Sequence, residues 1–153
     1  MHPTDHSTPA DLLGRFHAAE GAFFDSDGAE VPSFEGLLHP DFVLVEPQTS
    51  PYAGTWRGRE GLLRFLHAMN ADWAEQRPLQ PPEVLENGDT AVAVATLQAR
   101  SRSSGSVVVF PVCQVAQVRD GLLAETRVFY WDNTEMNEEL GRTRPPAPSA
   151  PGR

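Results

Sequence analysis

Cysteine, basic charge and long apolar runs are all scarce in this sequence, and each scarcity excludes a class of protein. Cys113 is the single cysteine in 153 residues, so no intrachain disulfide can staple the fold, and cytoplasmic residence is the natural expectation. Twelve basic residues against 21 acidic ones leave a formal net charge of −9. No basic cluster reverses that sign locally, so phosphate backbones are poor partners and no nucleic acid is expected. No apolar stretch approaches the roughly 20 residues of a spanning helix, so no membrane partner is expected either. The opening residues, MHPTDHSTPAD, have neither a basic nor an apolar region, which argues against a signal peptide.

What is present suffices for one domain. A chain of this size buries roughly 70% of the surface it exposes when unfolded, so it needs no metal or disulfide to hold it. The expected organisation is a disordered tail over 1–7, a single domain over 8–141 and a disordered Pro-rich tail over 142–153, because TRPPAPSAPGR can form neither helix nor sheet.

Within the domain the apolar spacing is helical first. Ser7 or Thr8 followed by Pro9 suits a helix start, and Leu12, Leu13, Phe16, Ala19, Phe23 and Phe24 fall on one face. Residues 31–38 predict a second, short helix, ended by His39-Pro40. A strand over 42–45 and a loop over 47–55 follow. Leu62, Phe65, Leu66, Met69 and Trp73 then mark another helix beginning at Gly58. Residues 77–82 read as a Pro-rich connection. Beyond it lie strands over 83–86, 91–100, 107–118 and 122–132, with turns at Asn87-Gly88-Asp89 and Arg119-Asp120-Gly121. Segregated helices and strands make an α+β domain in which a curved antiparallel sheet packs on N-terminal helices.

The 107–115 run is apolar on both faces and asks for cover on both. One face belongs to the helices. The other leaves an apolar patch, and homodimerisation through that outer face is expected; the alternative is a twist strong enough for one monomer to cover both. Thr126, Val128, Tyr130 and Asp132 share one parity of the last strand, with Arg127, Phe129 and Trp131 on the other.

The element order, with Val45-Glu-Pro47, Gly54-Thr-Trp-Arg-Gly-Arg-Glu-Gly61 and Phe110-Pro-Val-Cys-Gln-Val115, resembles the nuclear transport factor 2-like superfamily. Within it the chain looks closest to SnoaL-like polyketide cyclases and ketosteroid isomerase-like proteins. The resemblance implies a cone-shaped half-barrel with a mostly apolar pocket for a small apolar molecule, and dimers through the outer sheet face. It makes Glu46, followed by Pro47, the match to the isomerases' proton-shuttling base; the alternative is a solvated rim carboxylate. It makes Asp132, in Tyr130-Trp-Asp132 before Glu139-Leu-Gly141, the match to the cyclases' acid/base; the alternative is a helix N-cap in the capping-box pattern Asp132-Asn-Thr-Glu135. Tyr130 would donate beside them. Where the isomerases carry an oxyanion acid and a catalytic Tyr, this chain has Cys113 and Phe16, so true steroid isomerisation does not fit.

The expected catalytic residues are therefore Glu46, Asp132 and Tyr130, and the expected ligand-binding residues are Phe16, Tyr52, Trp56, His67, Cys113 and Val128. His17 and Glu20, one helical turn apart, suggest a metal only if a third ligand exists. The Gly54–Gly61 segment matches no phosphate-binding or dinucleotide pattern, so no metal or cofactor is expected. Two functions remain open: a cofactor-independent cyclase or isomerase acting on a hydrophobic carbonyl compound by carboxylate acid/base catalysis, or a non-catalytic ligand-binding or dimerisation module.

Overall fold

The computed structural model describes residues 7–142. The chain runs α1 (Pro9–Asp25), β1 (Leu38–Glu46), β2 (Gly54–Arg57), α2 (Gly58–Asp72), β3 (Trp73–Pro78), β4 (Glu83–Asn87), β5 (Thr90–Ser101), β6 (Val107–Arg119), β7 (Leu122–Tyr130) and α3 (Thr134–Glu139). Residues 1–6 and 143–153 of the two expected tails lie outside the described residues. Arg142 belongs to the body, since its guanidinium pairs with Asp72 at 2.9 Å.

Thr8 caps α1. Its hydroxyl accepts from the Asp11 amide at 3.1 Å while the Asp11 carboxylate accepts from the Thr8 amide at 3.2 Å, a reciprocal pair that satisfies two donors at the helix start. The helix buries Leu12, Leu13, Phe16 and Phe23, and α2 buries Leu62, Phe65, Leu66 and Met69. At the start of α2, a Cβ on Gly61 would stand 2.9 Å from the Trp56 carbonyl carbon, so only glycine permits β2 to turn so tightly into the helix.

Seven strands form one sheet in the order β2-β1-β7-β6-β5-β3, with β4 beside β3 along the same edge of β5. The sheet is mixed rather than purely antiparallel, because β1 and β7 run parallel. That pairing is possible because α2 and the whole meander intervene between them, far more chain than a parallel connection needs. Register shifts at Leu38/Val43, Trp73/Glu75 and Gln117/Val118 insert bulges that bend the strands. Ala91, Ala93, Ala99 and Ala116 line the concave side, at most 3% exposed. Small side chains there let the helices lie close inside the bend.

Three expectations need correction. Residues 31–38 form no helix: Phe34 and Gly36 both have positive φ, 59° and 71°, and the Leu37 and Leu38 amides donate to the Phe34 carbonyl in a turn. His39 and Pro40 consequently lie within β1 rather than ending a helix. β2 and β3 were unexpected, and Trp73 opens β3 instead of closing α2. Trp73 follows Met69 at helical spacing, so periodicity alone cannot separate the two states there. The last strand ends at Tyr130, two residues early. Among the described residues no helix is long and apolar enough to cross a membrane.

Phe16 illustrates the core. It is 0% exposed and its ring lies 6.0–6.1 Å from those of His17, Phe34 and Phe42. Phe16→Ala should cost about 3–5 kcal/mol in urea unfolding, as a core packing residue does; a loss below about 1 kcal/mol would return Phe16 to the list of ligand contacts.

Candidate functional site

Glu46 is the last residue of β1, points to the concave side and is 1% exposed. Its Oε1 accepts from the Tyr130 hydroxyl at 2.8 Å and from Ser50 Oγ at 3.2 Å. Oε2 is buried and has no partner among the described residues. No cation meets this carboxyl there; both donors are neutral hydroxyls. Burial therefore dominates, outweighing the two hydrogen bonds, and pushes its pKa up to about 8. A protonated carboxyl fits this geometry, with the proton on the unpartnered oxygen.

The loop after Glu46 is locked from several sides. Ser50 Oγ also accepts from the Tyr52 amide at 3.0 Å, so one hydroxyl ties the carboxyl to the turn. Buried Asn133 and Asn137, before and within α3, donate to Thr49 Oγ1 and Thr49 O at 3.0 and 2.8 Å. Farther along, Trp73 Nε1 donates to the Tyr52 hydroxyl at 2.9 Å, which donates to Asp72 at 2.7 Å. Burial and the Asp72 charge hold the Tyr52 phenol neutral, well above its ordinary range.

Tyr130 stands between Glu46 and a cavity of about 170 Å³. The cavity's apolar wall comes from Phe24, Phe65, Met69, Leu97, Phe110 and Val128; its polar groups include Tyr130, His17, Glu20, Gln76 and Gln114. His17 Nε2 lies 2.5 Å from Gln114 Oε1, and burial depresses the His17 pKa, so a neutral imidazole with its proton on Nε2 fits. Glu20 is half-buried. Desolvation first, and then the charge of nearby Glu46, raise its pKa to about 8 as well. Glu20 thus stands near enough to Glu46 to feel its charge.

The expected site residues divide sharply. Glu46 and Tyr130 are joined, and Val128 lines the cavity beside Tyr130. Asp132 does not join them. β7 has ended, Asp132 is exposed, and its Oδ1 accepts from the Thr134 amide at 2.8 Å and the Thr134 hydroxyl at 2.6 Å. It initiates the turn into α3, whose N-cap is Asn133. Cys113 lies directly opposite Phe129 and Val94, on the outer face; the concave residue beside it is Gln114, opposite Val128. Phe16 is core, Tyr52 and Trp56 belong to the loop lock through the Trp56 Nε1 bond to Tyr52 O at 3.0 Å, and exposed His67 stacks edge-on against Phe23.

Two contributors escaped the sequence reading. Glu20 appeared there only as half of a metal pair with His17, and among the described residues no group of three His, Cys, Asp or Glu could hold a metal ion. The 3.6-residue repeat puts Glu20 one turn from Phe16 and Phe23, a position that signals a carboxylate beside a buried face. Gln76 gave no signal, because β3 was read as helix end and linker.

A family model of the SnoaL-like domain matches residues 16–126, more than two thirds of the chain. No curated protein matches. Among solved structures, the chain is similar to an NTF2-like protein from Burkholderia xenovorans LB400, with 23% identity and a TM-score of 0.68 over 82% of this chain and 92% of that one. It is also similar to TerC co-crystallised with polyporic acid, with 22% identity and a TM-score of 0.66 over 88% and 99%. A proposed SnoaL-like polyketide cyclase from Jannaschia sp. CCS1 shares 17% identity, with a TM-score of 0.64 over 90% and 94%. These likenesses establish the α+β cone-shaped half-barrel.

The raised Glu46 pKa has a stability consequence. Between about 4.5 and 8 the folded protein holds a proton on Glu46 that the unfolded chain has released, so stability falls as pH rises through that window. From pH 5 to pH 9 this one group should cost on the order of 3 kcal/mol. Glu46→Gln should flatten the profile by that amount in urea unfolding across pH; an unchanged slope would show that Glu46 is ionised in the folded state.

Proposed function

The chain belongs to the SnoaL-like domain family, and from that membership we propose a cofactor-independent cyclase or isomerase acting on a hydrophobic carbonyl compound. The observation that carries this reading is the buried Glu46 carboxyl, which meets no cation among the described residues and is bonded to Tyr130, a residue that lines an apolar cavity together with Glu20. A carboxylate whose charged form is disfavoured is a strong base towards a weakly acidic carbon. Tyr130 would relay the proton: its hydroxyl proton passes to ionised Glu46 as the phenol oxygen takes a proton from the carbon next to the ligand's carbonyl, the C–H electron pair passing into the enolate. Return of a proton from the paired carboxyls to another carbon completes an isomerisation; attack of the enolate carbon on a second carbonyl forms the bond of a cyclisation, with the proton going to the new alkoxide. The sequence contains no lysine, which leaves no side-chain amine for Schiff-base chemistry. Cys113, on the outer face, is remote from the cavity's polar groups in strand parity. The likeness to TerC, crystallised with polyporic acid, is in keeping with a small-molecule pocket.

Outside the bend a different role suggests itself. Val94, Val109, Phe129 and Trp131 are 41%, 45%, 52% and 86% exposed, and Val94, Cys113 and Phe129 form one cross-strand row. A groove of about 640 Å³ runs along this row. The proposal therefore includes a homodimer through the outer face, since an isolated subunit seldom leaves such a patch to water.

Two experiments test these points. The first follows exchange of the α-protons of 2-tetralone in D₂O by proton NMR. The protein should accelerate exchange, with the rate rising with pH towards a plateau above about 8, and Glu46→Gln should lower it about 100-fold. Full exchange in that variant, or none in the native protein, favours the non-catalytic ligand-binding module. The second is analytical ultracentrifugation: a native dimer should become monomeric in Phe129→Glu/Trp131→Glu, and a native monomer sinks the interface.

A further inference from the structure

The proton-transfer reading requires a hydrogen-bond donor where the enolate oxygen gathers charge. Glu46, Glu20 and Tyr130 are committed to one another or to the proton, so the donor has to come from another part of the cavity wall. On the described residues, one group stands out.

We propose that the side-chain amide of Gln76 holds the carbonyl oxygen of the ligand. Gln76 lies on β3 opposite Ala99, whose 1% exposure marks the concave side. It lines the same cavity as Glu20 and Tyr130, among Phe24, Met69 and Leu97. Its Nε2 is buried and has no hydrogen-bond partner among the described residues. A buried amide nitrogen left without an acceptor costs about 1–3 kcal/mol, and native proteins rarely keep one without a reason. The cavity's other amides are differently placed. Gln114 meets His17, and Gln98 lies opposite Val109, with outer-face parity, at the cavity's edge.

The arrangement defines the ligand class. An apolar body fills the aromatic and aliphatic wall, a neutral carbonyl oxygen accepts from Gln76, and the adjacent carbon is left towards the carboxyl pair. A hydrocarbon of the same shape would seal Gln76 from water without satisfying it, which a site built to hydrogen-bond its ligand resists strongly.

The test compares two probes of nearly equal shape, 2-tetralone and tetralin, binding to the full chain. Expected is a ketone-over-hydrocarbon ratio of dissociation constants that falls about tenfold in Gln76→Leu and equally in Gln76→Met, which keeps the chain length. In nitrogen-15 spectra of the native protein, the Gln76 side-chain amide should move downfield with the ketone and stay with the hydrocarbon. An unchanged ratio in both variants, an unmoved amide, or no binding of either probe overturns the assignment; a water held at Gln76 would give the first two. Because the inference rests on the proposed chemistry, Glu46→Gln serves as the separating control. Ketone preference without proton exchange sinks the catalysis and leaves Gln76 standing, whereas exchange without a Gln76-dependent preference does the reverse.

Discussion

A carboxyl group has been taken out of water at the end of β1 without a cation to receive it, and much of the surrounding structure follows from that. Glu46 is covered almost completely, and neutral hydroxyls from Tyr130 and Ser50 are its only hydrogen-bond donors among the described residues. An ionised carboxylate is costly in such a place unless paired, so protonation is the cheaper state near neutral pH. The donors must also be held still, since a hydrogen bond in a dry site loses most of its value with a small displacement. Ser50 is held by the turn it caps, and that turn is pinned through Thr49 by Asn133 and Asn137. The short C-terminal helix, far in sequence from Glu46, is in this sense part of the site.

The bent sheet divides its work by parity. Alternate residues of β5 and β6 face the helices as small or apolar groups, Ala91, Ala93, Ala99, Val108, Phe110 and Ala116. Their neighbours present Val94, Val109 and Cys113 outward. Bulges that shift the register also bend the strands, and a cavity lies between sheet and helices towards the start of β6 and the end of β7. A flat sheet would have pressed its face against α1 and left no room for a ligand. Curvature, then, is what converts a packing surface into a pocket.

Much of this was legible in the sequence, and the failures share a physical cause. The helical faces of α1 and α2, the two hairpins at Asn87–Asp89 and Arg119–Gly121, and the position of Glu46 before Pro47 all follow from local pattern. The Asp120–Gly121 turn has positive φ at both residues, 54° and 76°, as a tight hairpin demands. What failed depended on where a strand begins or ends. Asp132 has the parity of Tyr130, but parity means nothing once the strand has stopped. Cys113 is one residue from Gln114, and a single-residue slip carries a side chain to the opposite face. β3 carries little alternation because it edges the sheet and is exposed along most of its length, so Gln76 could not be placed at all. Glu20 was visible as a helical neighbour of Phe16 and Phe23, but its nearness to the charge of Glu46 depends on how α1 sits on β1, which no local pattern encodes.

The nearness of Glu20 to Glu46 changes the character of the pocket. Among the described residues, exposed Arg77 is the cavity's only permanently cationic side chain, and it sits at the edge strand with outer-face parity. With one proton on the pair, the interior carries at most one negative charge; a second ionisation would set two carboxylates against each other in a poorly solvated space. In the proposed reaction, a proton taken up by one carboxyl and returned by the other leaves the total charge unchanged, which avoids the electrostatic penalty that ionising both would incur. Two groups with similar, raised proton affinities are therefore better suited to moving a proton across a ligand than a strong acid beside a weak one. The same argument supports the proposed ligand class: an anion would add charge the cavity cannot compensate, while a neutral molecule with one acceptor oxygen adds none.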